Sequence, residues 1–264
     1  KDKGINGLCG MELDIVPANV YLKWAKSLDV TNILDISPIL REIRMIKSTY
    51  EIEQIKKSGE IADKVFLKAK EILKEGLTEL EIASELEAVG RKAGHPGALR
   101  MRGFNQEMDN VTITQGYSGT ITSYADAPIL GAGIYPAVPH GASLKKIEKE
   151  IPILIDYGAC FNGYLTDETR PFVIGRLRDD FIKPYECALE IINMIINTGK
   201  EGINASDIFK SAYKIVQKYK LEDYFMGYGE GKVSFLGHGL GLEINEFPVI
   251  TAKHNIILQE GMVF

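Results

Sequence analysis

An internal echo constrains this chain more than any other feature of its sequence. Lys74-Glu75-Gly76-Leu77-Thr78 and Lys200-Glu201-Gly202-Ile203-Asn204 match at an offset of 126 residues, and the match continues in Glu81-Ile82 against Asp207-Ile208. In each copy a Thr or Asn is followed at the third position by an acid, as at a capped helix start. The order of patterns along the chain is two helices, strands, two helices, strands. Two related αα-plus-strand halves are therefore expected, with a curved sheet inside and four helices outside, and a site between halves is a natural concavity.

The local patterns fill in this outline. Ser48-Thr49-Tyr50-Glu51 is another capping box and predicts a long helix with Ile52, Ile55, Ile61, Val65, Phe66, Ala69, Ile72 and Leu73 at three- and four-residue spacing, with Gly76 placed to end it. Thr78 and Glu81 open a second helix that Gly94 closes. Strands and loops are expected from Val111 to Pro139, strands from Ile151 to Gly175, and helices over Asp179 to Thr198 and Ala205 to Tyr219. Ahead of these, a helical pattern around Asn19 to Ser27 and an extended Asn32 to Ile36 read as the tail of a preceding α/β unit, joined on by an Arg41 to Lys47 connection.

Composition narrows the function classes. The chain has 264 residues, 45% hydrophobic and 25% charged, which is ordinary globular usage. A net charge of −5 without a Lys/Arg block gives no support to a nucleic-acid surface and suits a small-molecule or peptide substrate. Apolar runs such as Ile153 to Ile155 fall far short of the roughly 18 residues of a membrane span. Cys9, Cys160 and Cys187 are odd in number and lack metal-type spacing, so three buried thiols in a reduced cytoplasm are expected. The opening Lys-Asp-Lys and the stop at Met262-Val263-Phe264 inside an apolar run make both ends read as cut.

The segment from Ile151 to Arg170 carries the chemistry. Asn162-Gly163 is a strong two-residue hairpin turn, because the favoured turn needs positive φ at both positions. Counting outward from it, Phe161 pairs with Tyr164, Gly158 with Asp167 and Asp156 with Thr169, which sets Asp156 and Asp167 on one face as diagonal neighbours about 7 to 8 Å apart. Two like charges so placed repel, and a cation between them resolves the conflict. The alternatives are a solvated edge for Asp167, or Arg170 paired with either acid. His238, among Gly237, Gly239 and Gly241, is a structural loop histidine by itself and a metal ligand in company with the two acids. His140, 16 residues before Asp156, is either a turn histidine or a residue of the same cleft. His95 and His254 have no partner pattern and read as surface or loop residues.

On three stretches the chain resembles the methionine aminopeptidase, aminopeptidase P, prolidase and creatinase superfamily, closest to its Xaa-Pro peptidases: Ile43 to Ile61, the Asp156/Asp167 hairpin, and Gly237 to Pro248. The resemblance implies an α+β pita-bread fold, with residues 41–264 as a C-terminally incomplete catalytic domain and residues 1–40 as the remnant of a smaller N-terminal α/β domain. It implies two divalent ions (Mn, Co or Zn), with Asp156 on one ion, Asp167 bridging both and His238 on the other, and His140 touching substrate near the scissile bond. Two further glutamate ligands are expected beyond Phe264, since Glu243, Glu246 and Glu260 occupy no ligand position; Glu246 is expected to support its loop. Asn245 stands where the family usually has a second cleft histidine, and an amide can hydrogen-bond a substrate carbonyl but cannot shuttle a proton. The implied activity is hydrolysis of a peptide bond preceding proline, by an aminopeptidase or a dipeptidase acting on small peptides, cytoplasmic and homodimeric. A metal-free creatinase-type C–N hydrolase and a non-catalytic pita-bread binding module share the same fold and stay open.

Overall fold

The computed structural model describes residues 8–28, 32–103, 106, 108–122, 129–227 and 229–264. The chain begins with β1 (Cys9–Met11), α1 (Ala18–Leu28) and β2 (Ile33–Asp35), the two strands pairing in parallel. A helix, α2 (Ser37–Met45), then occupies most of the expected Arg41 to Lys47 connection. Pro38 in its first turn is preset for a helix start, and the helix packs on a strand near the chain's end, a partner that local sequence does not announce.

The first half comprises α3 (Thr49–Ile72), α4 (Glu79–Lys92), β3 (Val111–Gln115), β4 (Ile153–Phe161) and β5 (Tyr164–Phe172). Both capping boxes form. Ser48 Oγ accepts from Glu51 N–H at 3.4 Å while Glu51 accepts from Ser48 N–H at 2.8 Å, and Thr78 and Glu81 do the same at 3.1 and 2.7 Å. The long helix stops at Ile72, before Gly76, because Leu73 already turns extended; Gly76, at φ +88°, shapes the link to α4 instead. Strands β3, β4 and β5 form an antiparallel sheet in that order. Ile153, Ile155 and Tyr157 face the helices and pack with Ile61, Val65, Ile82 and Leu86, so Leu154, Asp156 and Gly158 point to the other face. Glu79 is fully buried at the start of α4, where it accepts from Gln115 N–H (2.9 Å), Ser143 N–H (3.1 Å) and the Ser118 and Ser143 hydroxyls, enough donors to offset its desolvation.

The second half repeats the plan with α5 (Asp179–Thr198), α6 (Ala205–Tyr219), β6 (Gly237–Gly239) and β7 (Glu246–Ile250). The duplication is visible in matching hydrogen bonds. Gly76 N–H donates to Ile147 O and Gly202 N–H to Leu258 O, each at 2.9 Å; Ile147 N–H returns to Leu77 O and Leu258 N–H to Ile203 O, each at 2.8 Å. Thr78 and Asn204 cap their helices and bridge to Lys146 and Ile257 in the same antiparallel sense. Among the described residues the antiparallel strands form a three-stranded and a two-stranded ladder, and no helix is long and apolar enough to cross a membrane. Part of the expected Val111 to Pro139 strand-and-loop stretch, residues 123–128, lies outside the described residues. Cys160 and Cys187 are buried as expected; Cys9 is only half-buried, on a short strand with little packed over it.

Candidate active site

The hairpin adopts the register counted from its turn. Asn162 (φ 51°) and Gly163 (φ 87°) both take positive φ, Phe161 pairs with Tyr164, Gly158 with Asp167 and Asp156 with Thr169. Asp156 and Asp167 therefore share the face turned away from α3 and α4, where Leu99 crosses Gly158 so closely that a Cβ there would meet its Cδ1 at 2.4 Å. Thr169 Oγ1 donates to Asp156 Oδ1 at 2.7 Å. Arg170 pairs with neither acid: its guanidinium bonds Glu168 at 2.8 Å and lies over the Phe66 ring.

His238, on β6 of the second half, comes to the same place. Its Nε2 is 3.6 Å from Asp167 Oδ2, and its Nδ1–H donates to Gly239 O at 3.0 Å, which turns Nε2 toward the acids. Burial raises the pKa of both carboxyls. For Asp167 the charges of Asp156 and then Glu168 add to it, and the value is pushed up to about 7. For Asp156 the Thr169 hydroxyl and His238 work against the burial. Two carboxylates with too little positive charge beside them, and an imidazole with its outer nitrogen held by a backbone carbonyl, suit a divalent cation in kind. Among the described residues, however, no three His, Cys, Asp or Glu side chains gather closely enough to form a metal cluster.

A cleft of about 820 Å³ opens beside His238 and is lined by Asn245, Glu243, Glu246, Arg44 and Arg102 among others. His140 is buried and lines a different cavity of about 320 Å³, with Asp109, Asn110 and Tyr135. Asn245 and His238 are thus brought to one cleft, and His140 to another. His95 lies in a loop, one of the two readings expected for it, but is not at the surface. It is buried against Tyr157, with Nε2–H donating to Gly158 O at 3.1 Å and Nδ1 accepting from Gly97 N–H at 2.7 Å, contacts made by a strand distant in sequence. His254 is exposed.

Glu246 supports its loop as expected, accepting through Oε1 from Leu242 N–H (2.9 Å) and Glu243 N–H (3.1 Å). The partners that hold it there were not foreseen. Lys47 Nζ lies 3.2 Å from Oε2, and Arg44 donates to Oε1 and to Glu243 at 3.0 Å. Arg102 continues the network to Glu12 and Asp14 at 3.0 and 2.8 Å, holding the Asp14 carboxyl down at about 2. Burial pushes the Lys47 ammonium pKa down, against the pull of Glu246. The only sequence signal for this was Ile43 to Ile61 standing among the resembling stretches.

Two halves of paired helices over antiparallel strands, with two acids on the sheet face turned away from the helices, define the pita-bread class. Residues 53–264 match metallopeptidase family M24, and the chain belongs to that family. It is 33% identical to an Xaa-Pro dipeptidase of Pyrococcus furiosus over 86% of this chain and 56% of that protein, and 31% identical to an Xaa-Pro dipeptidase of Pyrococcus horikoshii over 99% of this chain and 65% of that protein. The solved prolidase of Pyrococcus furiosus superposes with a TM-score of 0.77 at 30% identity, covering 97% of this chain and 66% of that one. The chain thus spans roughly three-fifths of the length of these curated relatives.

Proposed function

We propose that this chain carries the catalytic machinery of a metal-dependent Xaa-Pro dipeptidase that acts on small peptides in the cytoplasm as a homodimer. Residues 41–264 belong to the catalytic domain in this reading and residues 1–40 to the end of a smaller one. The observation that carries the proposal is the convergence of Asp156 and Asp167, on one sheet face, with His238 Nε2 at 3.6 Å from Asp167. Dipeptidase is favoured over aminopeptidase because that is the activity named for both Pyrococcus relatives.

Asp156, Asp167 and His238 would hold divalent metal. When bound, such ions lower the pKa of a water and polarise the carbonyl under attack. Thr169 fixes the Asp156 carboxylate and Gly239 O fixes the imidazole, so both ligands are oriented before a metal arrives. Asn245 lines the cleft beside His238, which supports a role for its amide in donating an N–H to a substrate carbonyl. His140, which the resemblance implies near the scissile bond, lines the other cavity, so a part in proton transfer rests on the resemblance alone. The bond before proline lacks an N–H, so a site shaped for it has one donor fewer to satisfy.

The test is turnover of Xaa-Pro against matched Xaa-Ala dipeptides, after chelation and after adding back Mn²⁺ or Co²⁺. Metal-restored cleavage that prefers proline is expected. Turnover unaffected by chelation would turn the reading to a metal-free hydrolase, and metal binding without turnover of either peptide would turn it to a binding module.

A further inference from the structure

The cavity of about 320 Å³ that His140 lines lies on the helix side of the first half. Val111, on its wall, pairs with Tyr157 and so shares the sheet face turned to α3 and α4, whereas Asp156 and Asp167 occupy the opposite face. Helix α4 gives the cavity Leu80, Ala83, Ser84 and Glu87, a single stripe at three- and four-residue spacing beside its core stripe of Ile82, Leu86 and Gly90. Another wall is the turn from Gly131 to Gly141. Gly141 N–H donates to Leu130 O at 2.9 Å, and the two arms touch so closely that a Cβ on Gly131 would collide with Gly141 O and one on Gly133 with Val138 O. Backbone packed on backbone in this way holds the wall in place.

The second half fills the equivalent place with rings. At the offset of 126 residues Ile82, Leu86 and Gly90 fall on Ile208, Ala212 and Val216, all buried, so α4 and α6 are in register. Ala83 and Glu87 then fall on Phe209 and Tyr213, whose rings lie 6.3 and 6.2 Å from that of Phe225. Where the second half packs an aromatic cluster, the first has a methyl and a carboxylate, and the space stays open.

The polar groups of the lining ask for a particular ligand. Asn110 is 5% exposed, and its Nδ2 has no hydrogen-bond partner among the described residues. The amide lies close enough to the Tyr157 hydroxyl to oppose the burial that pushes that pKa up to about 12, yet the hydroxyl is likewise without a hydrogen bond. A buried N–H left in this state is costly until an acceptor reaches it. Glu87 and Asp109 are both exposed at the rim, and among the described residues that line the cavity there is no Lys or Arg.

We propose that this cavity is a second binding site, for a small ligand that carries an α-ammonium, an adjacent carbonyl oxygen and an apolar side chain, as a peptide N-terminus or a free amino acid does. The ammonium meets Glu87 and Asp109, the carbonyl oxygen accepts from Asn110 Nδ2, and the side chain lies against Leu80, Ala83 and Val111. With two acids and no cation on the lining, a neutral carbonyl suits the site better than a carboxylate, which makes a peptide N-terminus the favoured source. The volume lies at the small end of the ~300–1,000 Å³ of ligand sites. The site is independent of the catalytic reading above.

Methyl-detected NMR titration of the 264-residue chain in EDTA tests this, with L-leucinamide, L-leucine and N-acetyl-L-leucinamide as probes. Leucinamide is expected to bind more tightly than leucine, with shifts centred on Leu80, Ala83 and Val111, and N-acetyl-leucinamide, which lacks the ammonium, is expected not to bind. The double variant Glu87→Gln/Asp109→Asn should weaken leucinamide about tenfold or more, the worth of one charge-assisted hydrogen bond, while Asp167→Asn leaves it unchanged. Asn110→Ala should also weaken binding without lowering the thermal melt, because its amide gives no hydrogen bond to the fold. Leucine binding here as tightly as leucinamide would keep the site and make a free amino acid its ligand. Binding of neither, shifts centred on His238 instead, or equal binding of N-acetyl-leucinamide would overturn the proposal.

Discussion

Asp156 and Asp167 differ in their neighbours more than in their burial. Asp156 has a hydroxyl donor at 2.7 Å, whereas Asp167 faces the charges of Asp156 and Glu168. Asp167 is thus the carboxylate with most to gain from a cation. Asp167→Asn keeps the shape and removes the charge, so metal affinity should fall about 100-fold or more, given that even residues that only hydrogen-bond a ligand are worth 10–100-fold. Metal analysis after dialysis checks this. The metal-free variant should melt no lower than the parent, because the carboxylate it removes is a repelled one.

His95 sets a pH dependence of a different kind. The neutral ring uses both nitrogens, one donating to Gly158 O and one accepting from Gly97 N–H, and protonation would turn the second into a donor facing a donor. Burial lowers its pKa, opposed by the Gly158 carbonyl and reinforced by Arg91. Below the ordinary value near 6.5 the unfolded chain binds a proton that the folded chain refuses, so the stability His95 contributes is full above pH 6.5 and is lost as pH falls below it. His95→Gln should cost about 1 kcal/mol per hydrogen bond lost at pH 7.5. The gap to wild type should narrow toward pH 5, in denaturant titrations across that range. The burial of this loop histidine was not legible in the sequence because its partner strand lies 63 residues away, whereas the shared face of Asp156 and Asp167 was legible because a single Asn-Gly turn fixes their register.

Among the elements, those whose determinants are local matched expectation: the capping boxes of α3 and α4, the β4–β5 hairpin, and α5 and α6, which run over the residues assigned to them. Helix α2 and the partners of Glu246 did not, since both depend on groups about 200 residues apart. Lys47 leaves α2 nearly without solvent exposure, 2% for its side chain, to meet a Glu246 carboxylate that is itself tying down the segment from Leu242 to Asn245. A pair so buried stabilises little as a pair but is expensive to break. Lys47→Met should destabilise by about 3 kcal/mol, the low end for an uncompensated buried charge because Arg44 remains. The double variant Lys47→Met/Glu246→Met should lose less in chemical denaturation than the sum of its two single changes.

At the scale of the whole molecule the duplication determines where chemistry can occur, because the acids come from a hairpin of the first half and His238 from a strand of the second. The echo in sequence disclosed the two halves; it could not disclose how they meet, which depends on side chains packed between them. The halves nevertheless use one joint twice. Gly76 and Gly202 turn at φ +88° and +85°, and each donates to a returning segment at 2.9 Å. A Cβ added at either would meet nothing within 4 Å, so an Ala substitution costs only the strain of positive φ, about 1 kcal/mol. Gly76→Ala and Gly202→Ala should therefore destabilise equally, within about 0.5 kcal/mol, and their effects should add in the double variant because the joints share no partner. Urea denaturation of the three variants measures this. A difference above 1 kcal/mol between the single changes would mean that one joint carries a load the other does not, and that the two turns are alike in conformation only.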